Sequence, residues 1–389
     1  MTTKTAKPIY FDHSATTPVD KDVLKAMLPY FSNDFGNASS VHSFGQKANA
    51  ALDNARRTIA NLLQVNPSEI YFTTGGTECC NWAIKGAVRS SDKNKIIVSS
   101  IEHSASLTSS ASVEKDGGFV EYLMPDKDGY ITQLELNRLI DEKTALVSVM
   151  LANNEIGTIQ PIKELATIAK SHGAYFFTDA VQAIGSIPVL PKNLGVDMLA
   201  LSGHKFYGPK GIGAMYIRGG VKLNKFITGG HQERTMRGGT SNVALAVGLA
   251  TAMQKAIDNL DKNAAKIKKL RDYLIKQIVS RVPNCRLNGG LDNRLPQNAN
   301  ITFDFIEGES LLLRLDLDGI ACSSGSACSS GSLTASHVLM ALGLEEIQAH
   351  SSIRFSLGKN NTKQEVDYAI DRLVEITKQL RAMSPLGRE

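Results

Sequence analysis

The chain has 389 residues, 42% of them hydrophobic and 21% charged, which is enough apolar mass for one large core and a smaller second one and excludes disorder over most of its length. Its 43 basic and 38 acidic residues leave a formal charge of +5, and the basic residues are scattered instead of forming a block, so nucleic acid is not expected as a direct partner. No stretch approaches the roughly 18 apolar residues of a membrane span, so no membrane partner is expected either.

The first ten residues carry lysines but no apolar run of the kind a secretory signal needs. The five cysteines, at 79, 80, 285, 322 and 328, are odd in number and fit neither a disulfide framework nor a tetrahedral zinc site, so a reducing cytoplasm is the expected setting and no metal is expected. From about residue 55 to 217, short apolar and β-branched runs alternate with amphipathic stretches. Strands are predicted over 69–73, 95–99, 145–151, 175–178, 198–201 and 212–217, with helices such as 133–141 and 162–171 between them. That alternation indicates an α/β fold with a mostly parallel sheet, whose ligands gather at the C-terminal ends of the strands. A long helical region follows over 243–282 and gives way to a turn-rich stretch at 283–296, where composition places a boundary. Beyond it, strands at 299–305 and 353–357 and helices at 310–315, 334–342 and 362–383 describe a smaller α+β unit. The expected division is a large domain over 15–258 and a small one made of 1–14 and 259–389.

Within that small unit, Cys328 lies in a run with almost no side-chain bulk, Ser323-Ser324-Gly325-Ser326-Ala327-Cys328-Ser329-Ser330-Gly331-Ser332. Such a run buries little apolar surface to offset the entropy of ordering, so a mobile surface loop over about 322–333 is expected. An accessible thiol reaches its reactive thiolate form more easily than one sealed in a core.

The polar groups at strand ends suggest what such a thiol could act on. Lys205, just past the strand 198–201 and before Gly208-Pro209-Lys210-Gly211, is a candidate Schiff-base amine, the alternative being a solvated loop lysine. Asp179 ends the strand 175–178, where a buried carboxylate needs a cation or hydrogen-bond donors; a helix N-cap is the competing reading. A Schiff-base lysine paired with an aspartate on a pyridinium nitrogen is the arrangement that pyridoxal 5'-phosphate requires. Thr73-Thr74-Gly75-Gly76-Thr77-Glu78 supplies a glycine turn before a helix, suited to a phosphate. His103 follows the strand 95–99 and could stack on a flat ring and move protons, although a lone histidine is often structural.

These residues, with others, carry a family resemblance. The chain resembles the cysteine desulfurases, pyridoxal-phosphate enzymes of the class V aminotransferase type. The matching motifs run in order from Tyr10-Phe11-Asp12-His13-Ser14-Ala15-Thr16-Thr17-Pro18 through Gly76-Thr77-Glu78, Glu102-His103, Asn153-Asn154-Glu155-Ile156-Gly157 and Asp179-Ala180-Val181-Gln182. They continue through Ser202-Gly203-His204-Lys205 and Arg237-Gly238-Gly239-Thr240 to Ala327-Cys328 and Ser352-Ile353-Arg354-Phe355. The resemblance implies the aspartate aminotransferase-like fold type I. It also implies that Lys205 forms the Schiff base and moves the substrate Cα proton, that Asp179 pairs with the ring nitrogen, and that His103 stacks on the ring as an acid/base.

Gln182 and Asn154 would hydrogen-bond the ring hydroxyl side, Gly76, Thr77, Ser202 and His204 would hold the phosphate, and Thr240 would reach the phosphate of a neighbouring subunit in a homodimer. Asn154 and Arg354 would bind the substrate, with the Arg354 fork on its carboxylate, and Cys328 would take the sulfur of L-cysteine as a persulfide for an acceptor or scaffold protein in iron–sulfur cluster or thio-cofactor synthesis. A selenocysteine lyase that needs no thiol, and a non-catalytic sulfur carrier, are the alternative functions. The chain departs from the family at Cys79-Cys80, read as packing residues, at Cys322, read as a packed strand-end thiol, and at Thr334-Ala335, where the family often has Glu-Pro.

Overall fold

The computed structural model describes residues 8–324 and 334–384. Cys328 and most of its Ser/Gly run therefore lie outside the described residues. After β1 (Ile9–Tyr10), seven strands form one sheet: β2 (Ile70–Thr73), β3 (Lys95–Ser99), β4 (Phe119–Leu123), β5 (Thr144–Ser148), β6 (Tyr175–Asp179), β7 (Met198–Ser202) and β8 (Gly213–Ile217). Their order is β2-β8-β7-β6-β5-β3-β4, and β8 alone runs antiparallel to its neighbours. Helices cover both faces, so the central strands are apolar on both sides. Within β6, Phe176 faces a core with Leu52, Ile59 and Leu249, while the next residue, Phe177, faces one with Trp82, Ala83 and Ile84. In β7, Leu199 and Leu201 join the first core, and Met198 and Ala200 the second, as the two-residue period of a strand requires.

A second sheet is built from β9 (Cys285–Leu287), β10 (Asn298–Phe303), β12 (Ser323–Ser324) and β13 (Ser352–Ser356), all antiparallel in the order β12-β13-β10-β9; between β10 and β12 comes the short β11 (Ile320–Ala321). The helices Leu260–Arg281, Gly308–Leu317 and Lys363–Met383 close its apolar face through Leu274, Ile278, Leu311, Leu315, Ile370 and Leu373. The chain start joins this unit: β1 pairs in parallel with β11, and Phe11 is fully buried in the same cluster.

The predicted strands are all present with ends shifted by a few residues, and the Ile162–Ser171 helix has the predicted limits. Three differences are physical. Strand β4 carries no uninterrupted apolar run, because an edge strand leaves most of its residues partly or fully exposed. The region 243–282 is two helices, Val243–Asp258 and Leu260–Arg281, meeting at Asn259. The stretch 283–296 contains β9 as well as turns. Among the described residues no helix is long and apolar enough to cross a membrane, and no group of three or more His, Cys, Asp or Glu side chains is placed to hold a metal ion.

Candidate active site

The C-terminal ends of β3, β5, β6 and β7 open onto one cavity of about 320 Å³. Of the expected site residues, the structure brings Gly76, Thr77, His103, Asn154 and Asp179 to its wall, and Gln182, Ser202, His204, Lys205 and Arg354 complete it. Those from the seven-stranded sheet arrive because a strand ends and the chain turns there, whereas Arg354 projects from within β13. Asp179 is the last residue of β6, Ser202 the last of β7, and Lys205 closes the single turn Gly203–Lys205 that follows.

The floor of the cavity is acidic. Asp179 Oδ1 accepts from the Val181 amide at 2.8 Å and Oδ2 from the Cys80 thiol at 3.7 Å. Burial pushes the Asp179 pKa up, while the Val181 amide, the thiol and the charges of His103 and Lys205 pull it down. A buried carboxylate held this way favours a cationic partner in the cavity.

Lys205 Nζ donates to the carbonyls of Ser14 at 2.6 Å and Ala15 at 2.8 Å, and Gln182 Nε2 reaches the Ser14 carbonyl at 2.9 Å. The Ser14-Ala15 backbone thus forms a wall that aims the lysine amine. His103 caps the Ser104–Lys115 helix, with Nδ1 accepting from the Ala105 amide at 3.1 Å; the hydrogen of the neutral ring is then on Nε2.

The cavity wall also offers donors suited to an anion. The Gly76–Arg89 helix starts at the cavity, so its unpaired first-turn amides and positive dipole end face inward. A Cβ on Gly76 would come to 2.8 Å from Val181 Cγ2, so only glycine lets the helix start approach this closely. His204 is held neutral near pH 7, because burial and then the charges of Lys205 and Lys210 push its pKa down to about 4. Its Nδ1 lies 3.2 Å from Thr16 Oγ1.

At the mouth, Arg354 is fully buried and places Nη2 2.9 Å from Asp12 Oδ1 and Nη1 3.1 Å from the Asn154 carbonyl. Asn154 belongs to a turn organised by Asn153, whose Oδ1 accepts from the Glu155 and Ile156 amides and whose Nδ2 donates to the Ile101 carbonyl. Gly157, at φ +80°, lets that turn pack on Asn298.

Cys328 lies outside the described residues, and one expected residue among those described is not in this cavity. Thr240 is exposed and borders a separate depression with Thr73, Thr74 and Arg237. Sequence reasoning missed the carbonyls of Ser14 and Ala15, for which only the 10–18 motif was a signal, and it missed Glu102. Glu102 is fully buried, accepts from Ser99 Oγ at 2.8 Å and the Met150 amide at 2.6 Å, and has its pKa pushed up by burial to about 8. The four described cysteines are unbridged and poorly reactive: Cys79 and Cys80 are fully buried, and burial raises the pKa of these thiols and of Cys285 and Cys322.

The donor set fits pyridoxal phosphate: an amine for its aldehyde, a buried carboxylate for its ring nitrogen, and a helix start with Thr77, Ser202 and a neutral histidine for its phosphate.

Residues 9–369 match the family model described as aminotransferase class-V. The chain is 50% identical over 382 residues to cysteine desulfurase IscS of Methanosarcina thermophila, covering 98% of this chain and 94% of that protein. It is 48% identical over 387 residues to cysteine desulfurase IscS of Clostridium botulinum strain Hall, covering 98% of each. A solved structure titled NifS-like protein superposes with a TM-score of 0.90 at 39% identity, covering 96% of this chain and 100% of that one.

Proposed function

The chain belongs to the aminotransferase class-V family, and from that premise we propose that it is a pyridoxal-phosphate-dependent cysteine desulfurase that converts L-cysteine to L-alanine and takes the sulfur onto Cys328. The observation that carries this reading is the convergence of Lys205, Asp179, His103 and the Gly76–Arg89 helix start on one cavity at the strand ends. When bound, pyridoxal phosphate supplies an electron sink for the pair left at the substrate Cα. Lys205 would hold its aldehyde, Asp179 its ring nitrogen, and Gly76, Thr77, Ser202 and His204 its phosphate; Gln182 and Asn154 would hydrogen-bond the ring hydroxyl side, and His103 would stack on the ring.

The chain's own groups then act on the substrate. Arg354 binds the carboxylate of L-cysteine, with Asn154 beside it, and Lys205 takes the Cα proton. The Cys328 thiolate forms an S–S bond with the substrate sulfur as the Cβ–S bond breaks and its electron pair stays with carbon. The sulfur keeps its own hydrogen as the terminal S–H, one proton completes the methyl group and Lys205 returns its proton to Cα, so alanine forms with no outside oxidant or reductant. The persulfide passes to an acceptor or scaffold protein serving iron–sulfur cluster or thio-cofactor assembly, in a cytoplasmic homodimer where Thr240 faces the neighbouring subunit's phosphate. Support for Cys328 as the acceptor comes from its bulk-free sequence and from the raised pKa of each of the four described thiols, two fully and two partly buried. We divide the chain into a large unit over 15–258, which supplies Lys205, Asp179 and His103, and a small unit of 1–14 with 259–389, which supplies Arg354.

The test is release of alanine and sulfide from L-cysteine. Cys328→Ser is expected to abolish sulfide release while keeping the yellow colour of the bound cofactor, and Lys205→Ala to lose both. Sulfide release by Cys328→Ser at the parent rate would overturn the persulfide step.

A further inference from the structure

The Gly76–Arg89 helix places Cys80 directly beneath the cavity floor, fully buried, with its thiol donating to Asp179 Oδ2 at 3.7 Å. The thiol sits in a cluster of buried polar groups. Ser106 Oγ and Glu102 Oε2 are both sealed from solvent with no hydrogen-bond partner of regular geometry, yet the Ser106 hydroxyl is near enough to the Cys80 thiol and to the Glu102 carboxyl to favour the ionised form of each. Asp179, Cys80, Ser106 and Glu102 are thus buried neighbours, with the other Glu102 oxygen held by Ser99 and the Met150 amide. Burial holds the Glu102 pKa at about 8, whereas Asp179 faces the cavity, where the charges of His103 and Lys205 favour its ionised form.

We propose that Cys80 is a positioning residue for the cofactor: its thiol, with the Ser106 hydroxyl behind it, fixes Asp179 Oδ2 so that the carboxylate stays aimed at the ring nitrogen. This rests on the reading of the cavity as a pyridoxal-phosphate site. The neighbouring Cys79 provides the contrast. It is equally buried, but its thiol meets Thr73 Oγ1 at 3.2 Å and the Ala214 carbonyl at 3.5 Å, away from Asp179. If buried cysteines on this helix served only packing, the two would be interchangeable in their effect on the cofactor.

The groups acting on Asp179 by charge are His103 and Lys205 from the cavity side, and Asp179 in turn acts on Glu102 and on both thiols. Removing the thiol leaves the carboxylate with the Val181 amide as its remaining hydrogen bond among the described residues. Its charged form then becomes less favourable, and the ring nitrogen holds its proton less tightly.

The experiment uses the full-length holoenzyme with isotope-labelled pyridoxal phosphate. It compares the ring-nitrogen chemical shift and the rate of cofactor loss in the parent, Cys80→Ala, Cys80→Ser, Ser106→Ala and Cys79→Ala. Cys80→Ala is expected to move the ring nitrogen toward its unprotonated shift and to speed cofactor loss by about tenfold, the scale of one lost hydrogen bond to a charged group. Ser106→Ala moves both readouts in the same direction by less, and Cys80→Ser, which keeps a donor, stays near the parent. Cys79→Ala lowers the thermal midpoint without moving either readout. Parent-like values in both Cys80→Ala and Ser106→Ala, or an equal effect from Cys79→Ala, would overturn the proposal. A parent that binds no pyridoxal phosphate would instead overturn the functional reading itself.

Discussion

Glu102 has no access to solvent, and its pKa of about 8 lies well above the ordinary 4.5 because burial penalises the carboxylate. A raised carboxyl pKa means that folding keeps a proton the unfolded chain would release. Stability from this group is therefore complete below about pH 4.5 and is lost as pH rises toward 8. Glu155, raised by burial to about 7 beside Ser336, acts in the same direction. Thermal unfolding followed at pH 5 and at pH 8.5 is expected to show a lower midpoint at the higher pH. Glu102→Gln, which imitates the protonated acid, should remove part of that fall, on the order of 2 kcal/mol at pH 8.5; an unchanged fall would mean that Glu102 is ionised in the native protein. At the mouth, Arg354 is fixed by Asp12 and the Asn154 carbonyl, so its fork is pre-aimed. Arg354→Lys loses the planar two-point grip on a carboxylate and is expected to raise KM for L-cysteine by roughly tenfold or more with the cofactor colour retained. A parent-like KM would remove Arg354 from substrate binding.

The described chain resumes after residue 333 in a segment tied down twice, which makes the short His337–Ala341 helix more than a packing element. Ser336 Oγ hydrogen-bonds Glu155 Oε2 and also caps the helix by accepting from the Leu339 amide at 3.2 Å. His337 Nε2 donates to the Glu102 carbonyl at 2.9 Å. Ser336→Ala loses the cap and leaves Glu155 buried without that donor, at a cost of about 1–2 kcal/mol. It is expected to lower the thermal midpoint and slow sulfide release while leaving cofactor absorbance unchanged; lost absorbance would place Ser336 in cofactor binding. The same helix marks a limit of legibility in the sequence, since its apolar spacing suggested a start at 334 whereas Ser336 delays it to His337. Strands β3, β5, β6, β7 and β8 were legible because burial on both faces demands nearly continuous apolar runs. The break at Asn259 was not legible, because neither glycine nor proline marks it. Lys205, Asp179 and His103 stood out as polar groups at the ends of apolar strands. The Ser14 and Ala15 carbonyls that receive Lys205 carry no side-chain signal, and the contact of Cys80 with Asp179 depends on how a helix packs beneath a distant strand end.

Over the whole molecule, the cavity joins polar residues from the seven-stranded sheet to Arg354 on β13 of the second sheet, with Asp12 near the chain start completing the Arg354 pair. Thr240 is outside that cavity, and the apolar side chains of Phe31, Phe35, Val41 and Phe44 are exposed, both in keeping with a second subunit covering this side. Light scattering on the holoenzyme is expected to return twice the chain mass; a monomer with full activity would free Thr240 from any role at a neighbouring phosphate. The destination of the sulfur is read most directly by mass spectrometry of peptides from the protein treated with L-cysteine and alkylated without reduction. One added sulfur atom on the peptide containing Cys328, absent in Lys205→Ala, is the result this account predicts. Added sulfur mainly on Cys322, or alanine production with no sulfur on any cysteine, would contradict it.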